Sequence, residues 1–283
     1  MSNSRGAVLV TGSSTGIGRA TSLHLDSLGF QVFAAVRKRG HAEALEEQAS
    51  DRLEPVLLDV TDEGTIEATR ERIAQVTGGR LYGLVNNAGI AVAGGTEFAP
   101  LDELRHQLEV NVTGQVAVTQ AFAPMLRAAR GRIILMSSIG GRSSIPFLMP
   151  YGASKHALEA IGDSLRGEMK AFGVEVSIIE PGSIATEIWE KGESQANELK
   201  ASMTDDQMAV YGKKVEALSA AARKTGAQGI PALEVAKVVE HALTSPRPKT
   251  RYLVGSRAKV QAQLKRFLPD RMMDRLIARE LGI

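Results

Sequence analysis

Tyr151 and Lys155 stand four residues apart in the stretch YGASK. On a helix that spacing puts the phenol and the ammonium on one face. An ammonium beside a phenol favours the phenolate and should draw the Tyr pKa down from about 10 toward working pH. A group tuned in this way is what proton transfer to or from an alcohol or carbonyl requires. Ser138 lies thirteen residues earlier, at the end of the apolar run IILMSS, where its hydroxyl can bond the same substrate oxygen. Asn111 completes a set of four polar residues. Taken alone, Y-x-x-x-K is common and fits a core Tyr beside a surface Lys better, so the weight falls on what surrounds it.

Three further motifs sit at the ends of apolar runs. TGSSTGIG contains Gly12, Gly16 and Gly18, follows one such run and opens a helical pattern. Glycines there let the backbone approach a pyrophosphate, and a helix N-terminus favours its charge. The spacing is G-x-x-x-G-x-G, not the G-x-G-x-x-G of the usual dinucleotide fingerprint. LDV places Asp59 where a carboxylate can accept from an adenine amino group; its alternative role is a cap for the next helix. NNAG, Asn86 to Gly89, can tie adjacent loops together and leave room for a ribose; its alternative is a turn filler.

These motifs need elements to hold them. Short apolar runs at 7–12, 30–36, 54–60, 82–89, 131–138, 174–182 and 250–255 alternate with helical patterns. Near-continuous apolar strands separated by helices indicate buried parallel strands in βα units. The expected fold is α/β, a doubly wound sheet of seven parallel strands, with ligands at the carboxyl ends. A chain of 283 residues fits one domain, 1–283. Within it, 187–230 is too long for a plain connection and is expected to be a substrate lid. Residues 256–283 form a helical extension broken at Pro269.

Composition narrows the function. There is no cysteine, so disulfides, thiolate catalysis and Cys-ligated metal are out. The five His are scattered, and no metal site is expected. The net charge of +2 argues against nucleic acid as the main partner. No apolar run approaches membrane-spanning length, no signal peptide is expected, and the expected setting is cytoplasmic.

Taken together the motifs resemble the short-chain dehydrogenase/reductase family from about residue 5 to 255. TGSSTGIG, LDV, NNAG, Asn111, SS before YGASK, and PG with a Thr four residues on occur in the family's order. Residues 132–187 are most similar to the branch of 17β-hydroxysteroid and retinol dehydrogenases. The resemblance implies an oxidoreductase that moves a hydride between a nicotinamide dinucleotide and a carbonyl or secondary alcohol, here a hydrophobic one. It implies Tyr151 as acid/base, Lys155 on the nicotinamide ribose, Ser138 orienting the substrate oxygen, and Asn111 holding a water that links Lys155 to solvent. It places Gly12, Ser13, Thr15, Gly16, Ile17, Gly18, Asp59, Val60, Asn87, Ala88, Gly89, Pro181, Gly182, Ile184 and Thr186 around the cofactor. Ile145, Phe147 and Met149, just before Tyr151, are expected on a substrate wall. A non-catalytic nucleotide-binding scaffold is the alternative; such relatives usually lack the Tyr or Lys, and both are present.

The end of the second strand bears on the choice of cofactor. No Asp or Glu occurs between residues 27 and 42, and Arg37 follows Val36. An acid there would repel a 2′-phosphate, whereas an Arg can bind it. NADP is therefore expected over NAD, with some NAD use and with Ser13 adding a hydroxyl. The helices after Asn111 and after Tyr151 carry small and apolar residues suited to pairing copies, so a homodimer or homotetramer is expected. Residues 246–283 carry ten Lys/Arg and three Asp/Glu. The two amphipathic stripes there are expected to dock on the protein's own substrate mouth or a neighbouring subunit, with a membrane surface as the alternative.

Overall fold

The computed structural model describes residues 5–186, 200–201 and 203–282. Seven strands form one sheet: β1 (Ala7–Val10), β2 (Gln31–Val36), β3 (Leu53–Leu57), β4 (Gly83–Asn86), β5 (Arg132–Met136), β6 (Glu175–Pro181) and β9 (Arg251–Val254). Their order is β3-β2-β1-β4-β5-β6-β9, and every pairing is parallel. The expected doubly wound sheet is therefore present. The order in which the chain adds strands reverses between β1 and β4, the switch point where such folds bind ligands.

The apolar runs become strands because both faces are covered. Leu9, Phe33, Leu84, Ile133 and Ile178 point into one cluster with Ile73 of α3 (Glu63–Thr77) and Phe122 of α5 (Gly114–Ala129). Their neighbours Val8, Val32, Ala34, Val85 and Ile134 point into the other, with Leu25 of α1 (Gly16–Ser27) and Val235, Val239 and Leu243 of α8 (Ala232–Thr244). The side-chain period of two thus divides one run between two buried layers.

Local chemistry sets the element ends. Asp62 caps α3, its carboxylate accepting from Gly64 N at 2.8 Å and Thr65 N at 3.3 Å. That leaves Asp59 free of the capping role. Gly78, at φ 64°, ends the same helix in the left-handed region. The region 101–129 divides into α4 (Leu101–Leu108), a π turn (Glu109–Thr113) and α5. α6 (Met149–Met169) starts with Pro150 in its first turn, where a missing N–H does no harm.

Between β6 and α8 lie a two-residue strand, β7 (Ile184–Ala185), paired with β8 (Ile230–Pro231), and the long helix α7 (Asp205–Ala227). Part of the expected lid, 187–199 and 202, falls outside the described residues. The extension forms α9 (Ser256–Phe267) and α10 (Asp270–Leu281), broken at Pro269 as the sequence indicates.

Phe122 is fully buried under the sheet. Phe122→Ala should destabilise the fold by about 3–5 kcal/mol, read as a lower urea midpoint with an unchanged m-value; a change under about 1 kcal/mol would mean the site collapses without a cavity.

Candidate active site

The glycine loop follows β1. Gly12 and Gly16 have φ 68° and 54°, which favour glycine. Gly18 is required by contact: a Cβ there would lie 2.1 Å from the Gly12 carbonyl oxygen and 2.5 Å from Asn87 Nδ2. Thr15 precedes α1 without a side-chain cap, and no acid occupies the first turn, so the first N–H groups keep their positive field. These features fit a pyrophosphate.

NNAG does tie the loops. Asn87 Nδ2 donates to Thr11 O at 2.8 Å and Gly12 O at 3.2 Å. Thr11 Oγ1 accepts from Asn87 N at 2.9 Å and Ala88 N at 3.0 Å. The sequence reading missed Thr11, and also Gln115, whose Nε2 holds the Ala88 carbonyl at 2.8 Å. Asn86 faces the interior instead, donating to Thr119 Oγ1 at 2.8 Å.

Arg37 is exposed just past β2, and its charge reaches Asp59 just past β3. Burial pushes the Asp59 carboxyl up, but hydrogen bonds from Thr61 outweigh it, and Arg37 and His106 add to them, so the net pKa is lowered. Val60 is buried against α5, where a Gly114 Cβ would meet its carbonyl at 2.7 Å. Ser13 departs from expectation. It is fully buried, its hydroxyl donates to Val10 O at 2.8 Å, and Ser22 Oγ lies 2.9 Å away. It braces the loop from within and is not turned toward a 2′-phosphate.

Tyr151 and Lys155 lie in the first turns of α6 beside the end of β5. Ser138, just beyond β5, stands beside the Tyr151 ring: a Cβ on Gly140 would lie 3.4 Å from Ser138 Oγ and 3.2 Å from Tyr151 Cε1, and that Oγ accepts from Gly140 N at 3.1 Å. Lys155 is buried, and its ammonium donates to Met136 O at 2.7 Å, 5.7 Å from the Tyr151 ring centre. The expected lowering of the Tyr pKa is not found. Burial raises it above its ordinary value, the Ser138 hydrogen bond opposes this, and the ammonium is directed at a carbonyl. Burial also draws Lys155 down to about 8, against the pull of Glu159.

Asn111 is fully buried in the π turn. Its Oδ1 accepts from Ile90 N at 2.8 Å, and its Nδ2 donates to Ile90 O at 3.0 Å and Ser154 Oγ at 3.1 Å. The side chain thus joins the loop after β4 to α6 and makes no direct bond to Lys155. Pro181 ends β6, Gly182 N donates to Val254 O at 2.9 Å, Ile184 is buried in β7, and Thr186 is half-buried.

Ile145, Phe147 and Met149 line a cleft of about 590 Å³ with Thr96, Ala153 and His156. Its other wall is α10, through Asp274, Ile277 and Ala278, consistent with docking of the extension near the substrate loop. Tyr151 and Ser138 are not among the lining residues; the cleft lies beside them. Phe147 adopts φ 65°, a strained conformation for a bulky residue, and packs with Phe98 and Tyr211 of α7 at ring distances of 6.3 and 6.1 Å. Among the described residues, no cluster of His, Asp and Glu is placed to hold a metal.

A dinucleotide loop at the switch point and a Ser–Tyr–Lys set on the neighbouring strand end define an oxidoreductase of the Rossmann type. The family model for short chain dehydrogenase matches residues 6–197, and the chain belongs to that family. It is 38% identical over 279 residues, 96% of each chain, to an NADPH-dependent 3-dehydrocapnine reductase from Ornithobacterium rhinotracheale. It is 36% identical to mouse (Mus musculus) retinol dehydrogenase 16, over 95% of this chain and 87% of that one. Among solved structures, a short-chain dehydrogenase from Streptomyces avermitilis is 27% identical with a TM-score of 0.75, covering 97% of this chain and 99% of that one.

The depressed Lys155 has a consequence for stability. The unfolded chain keeps this proton to about pH 10.5 and the folded chain only to about 8, so between those values the unfolded state binds more protons. The contribution of Lys155 to stability therefore rises with pH across that window. In urea titrations, wild type should gain on Lys155→Met between about pH 8 and about pH 10; a constant difference would place the Lys155 pKa elsewhere.

Proposed function

We propose that the protein is an NADP-preferring carbonyl reductase or alcohol dehydrogenase for a bulky apolar ketone or secondary alcohol. The observation that carries this reading is the convergence of Ser138, the Tyr151 phenol and the buried Lys155 ammonium, which lies 5.7 Å from the Tyr151 ring centre. Tyr151 donates its proton to the substrate oxygen in reduction and takes it back in oxidation. Its raised pKa keeps it protonated at neutral pH, which suits the reductive direction. Ser138 orients the same oxygen. Lys155 adds positive charge behind the phenol, and Asn111 fixes α6 against the loop after β4. NADP, when bound, carries the hydride.

Gly12, Thr15, Gly16, Ile17 and Gly18 cradle the pyrophosphate, Arg37 takes the 2′-phosphate, and Asp59 and Val60 face the adenine. Asn87, Ala88 and Gly89 border the ribose, and Pro181, Gly182, Ile184 and Thr186 border the carboxamide. Arg37, with no acid at the end of β2, supports NADP, as does the NADPH dependence stated for the Ornithobacterium reductase. The apolar wall of Ile145, Phe147 and Met149 and the likeness to a retinol dehydrogenase support a hydrophobic substrate.

Exposed Ala160, Ser164 and Gly167 share one face of α6. That face supports pairing of two copies through α5 and α6 in a dimer or tetramer. The cysteine-free sequence supports a reducing, cytoplasmic setting. Among the described residues, no helix is long and apolar enough to cross a membrane.

Tyr151→Phe keeps the ring and removes the proton; turnover should fall ~10²–10⁴-fold with cofactor affinity little changed. Near-normal turnover would remove Tyr151 from the reaction. Arg37→Ala should weaken NADP by about 1.5–3 kcal/mol and NAD far less, read by fluorescence titration of both cofactors; equal losses would reject the assignment of Arg37.

A further inference from the structure

The reaction as proposed leaves a cluster of charges near Lys155, centred on the fully buried Glu180, without a role. Glu159 stands one turn after Lys155 on α6, and its Oε2 accepts from Arg251 Nε of β9 at 2.9 Å. Arg251 Nη2 donates to Asp163 Oδ2 at 2.8 Å, and Arg251 Nε lies 3.4 Å from Glu180 Oε1. Glu180, in β6, is fully buried and accepts from Arg142 Nη2 at 2.7 Å. Arg142 directly follows the short turn Ile139–Gly141 that Ser138 caps. Glu180 directly precedes Pro181.

The cluster therefore reaches three segments of the site: the Ser138 turn, the Tyr151–Lys155 helix and the loop after β6. Contact between the first two is close. A Cβ on Gly141 would lie 3.0 Å from the Lys155 carbonyl oxygen and 3.1 Å from Glu159 Cγ. Three carboxylates, Glu159, Asp163 and Glu180, face two guanidiniums, Arg142 and Arg251; Arg166 meets Asp163 from the exposed side at 2.7 Å. Glu159 Oε1 and Glu180 Oε2 are buried without a hydrogen-bond partner among the described residues. Buried ion pairs are poor stabilisers, and an unmatched carboxylate oxygen is costly. An apolar packing would hold these elements as well.

We propose that Glu159 is a positioning residue: one turn from Lys155 on the same face of α6, anchored by Arg251 and backed by the Glu180–Arg142 pair, its carboxylate supports the Lys155 ammonium and couples it to the placement of the Ser138 turn. The inference rests on Lys155 and Tyr151 acting as described above. Burial works to neutralise Lys155, and Glu159 is the charge that opposes it. On the elements packed against α6, the other charged groups are Asp102, Glu103, Arg105 and His106 of α4, Glu109 of the π turn, Lys170 just past α6 and Glu175 of β6, all exposed to solvent.

The test is Glu159→Gln, which keeps the shape and removes the charge. The readouts are the pH profile of kcat for NADPH-driven ketone reduction, the KM for NADPH and the melting temperature. The alkaline limb should move about one pH unit toward acid, lowering kcat about fivefold at pH near 8 and little at pH near 6, with KM changed less than about twofold. Glu159→Asp should return the limb toward wild type. Glu180→Gln should move the same limb by less, and it carries the test if Glu159→Gln does not fold. Unmoved limbs with only a lower melting temperature would overturn the proposal and leave a structural salt bridge. Lys155→Gln with wild-type turnover and pH profile would instead overturn the reading of Lys155 itself, and this inference with it.

Discussion

The Lys155 ammonium is taken out of water and given to the Met136 carbonyl, and much of the site's geometry follows from that bond. A buried ammonium is tolerated only with a partner. The partner sits at the last residue of β5, so α6 must bring its first turns against the carboxyl end of that strand. Tyr151, one turn earlier on the same face, then meets Ser138 just beyond the strand. The contact also demands glycine nearby: side chains at 140 and 141 would crowd the Tyr151 ring and the Lys155 carbonyl.

A second constraint joins this half of the site to the dinucleotide half. Thr11 and Asn87 lock the end of β1 to the end of β4, and Asn111 locks the loop after β4 to α6 through Ser154. The chain of side-chain to backbone bonds runs from the glycine loop to the helix of Tyr151. The π turn at Glu109–Thr113 belongs to it: the irregular turn interrupts the α4–α5 run where Asn111 must reach inward. Irregular backbone of this kind is retained where a side chain has to be aimed.

The strands were legible because parallel strands are buried on both faces and leave unbroken apolar runs. The glycines were legible because Gly12, Gly16 and Gly18 are fixed by backbone angles and close contact. The break at Pro269 followed from proline chemistry. Other features depend on neighbours distant in sequence. Ser13 sits in the expected loop, yet its hydroxyl finds Val10 O and Ser22 inside the protein. The spacing of Tyr151 and Lys155 fixed a shared face but not the direction of the ammonium, so the sign of the Tyr shift was misread. Nothing local marks β7 and β8, two residues each, or the pairing of Glu180 with Arg142, thirty-eight positions apart. The wall that α10 adds to the cleft is likewise a tertiary fact.

The most direct measurement follows the absorbance of reduced nicotinamide on mixing wild-type protein, NADPH or NADH, and a panel of ketones graded from compact and polar to bulky and apolar. Consumption of NADPH should be fastest with the bulky apolar ketones and slower with NADH in its place. Absence of turnover across the whole panel with both cofactors, in protein shown to be folded, would contradict the role given to Ser138, Tyr151 and Lys155.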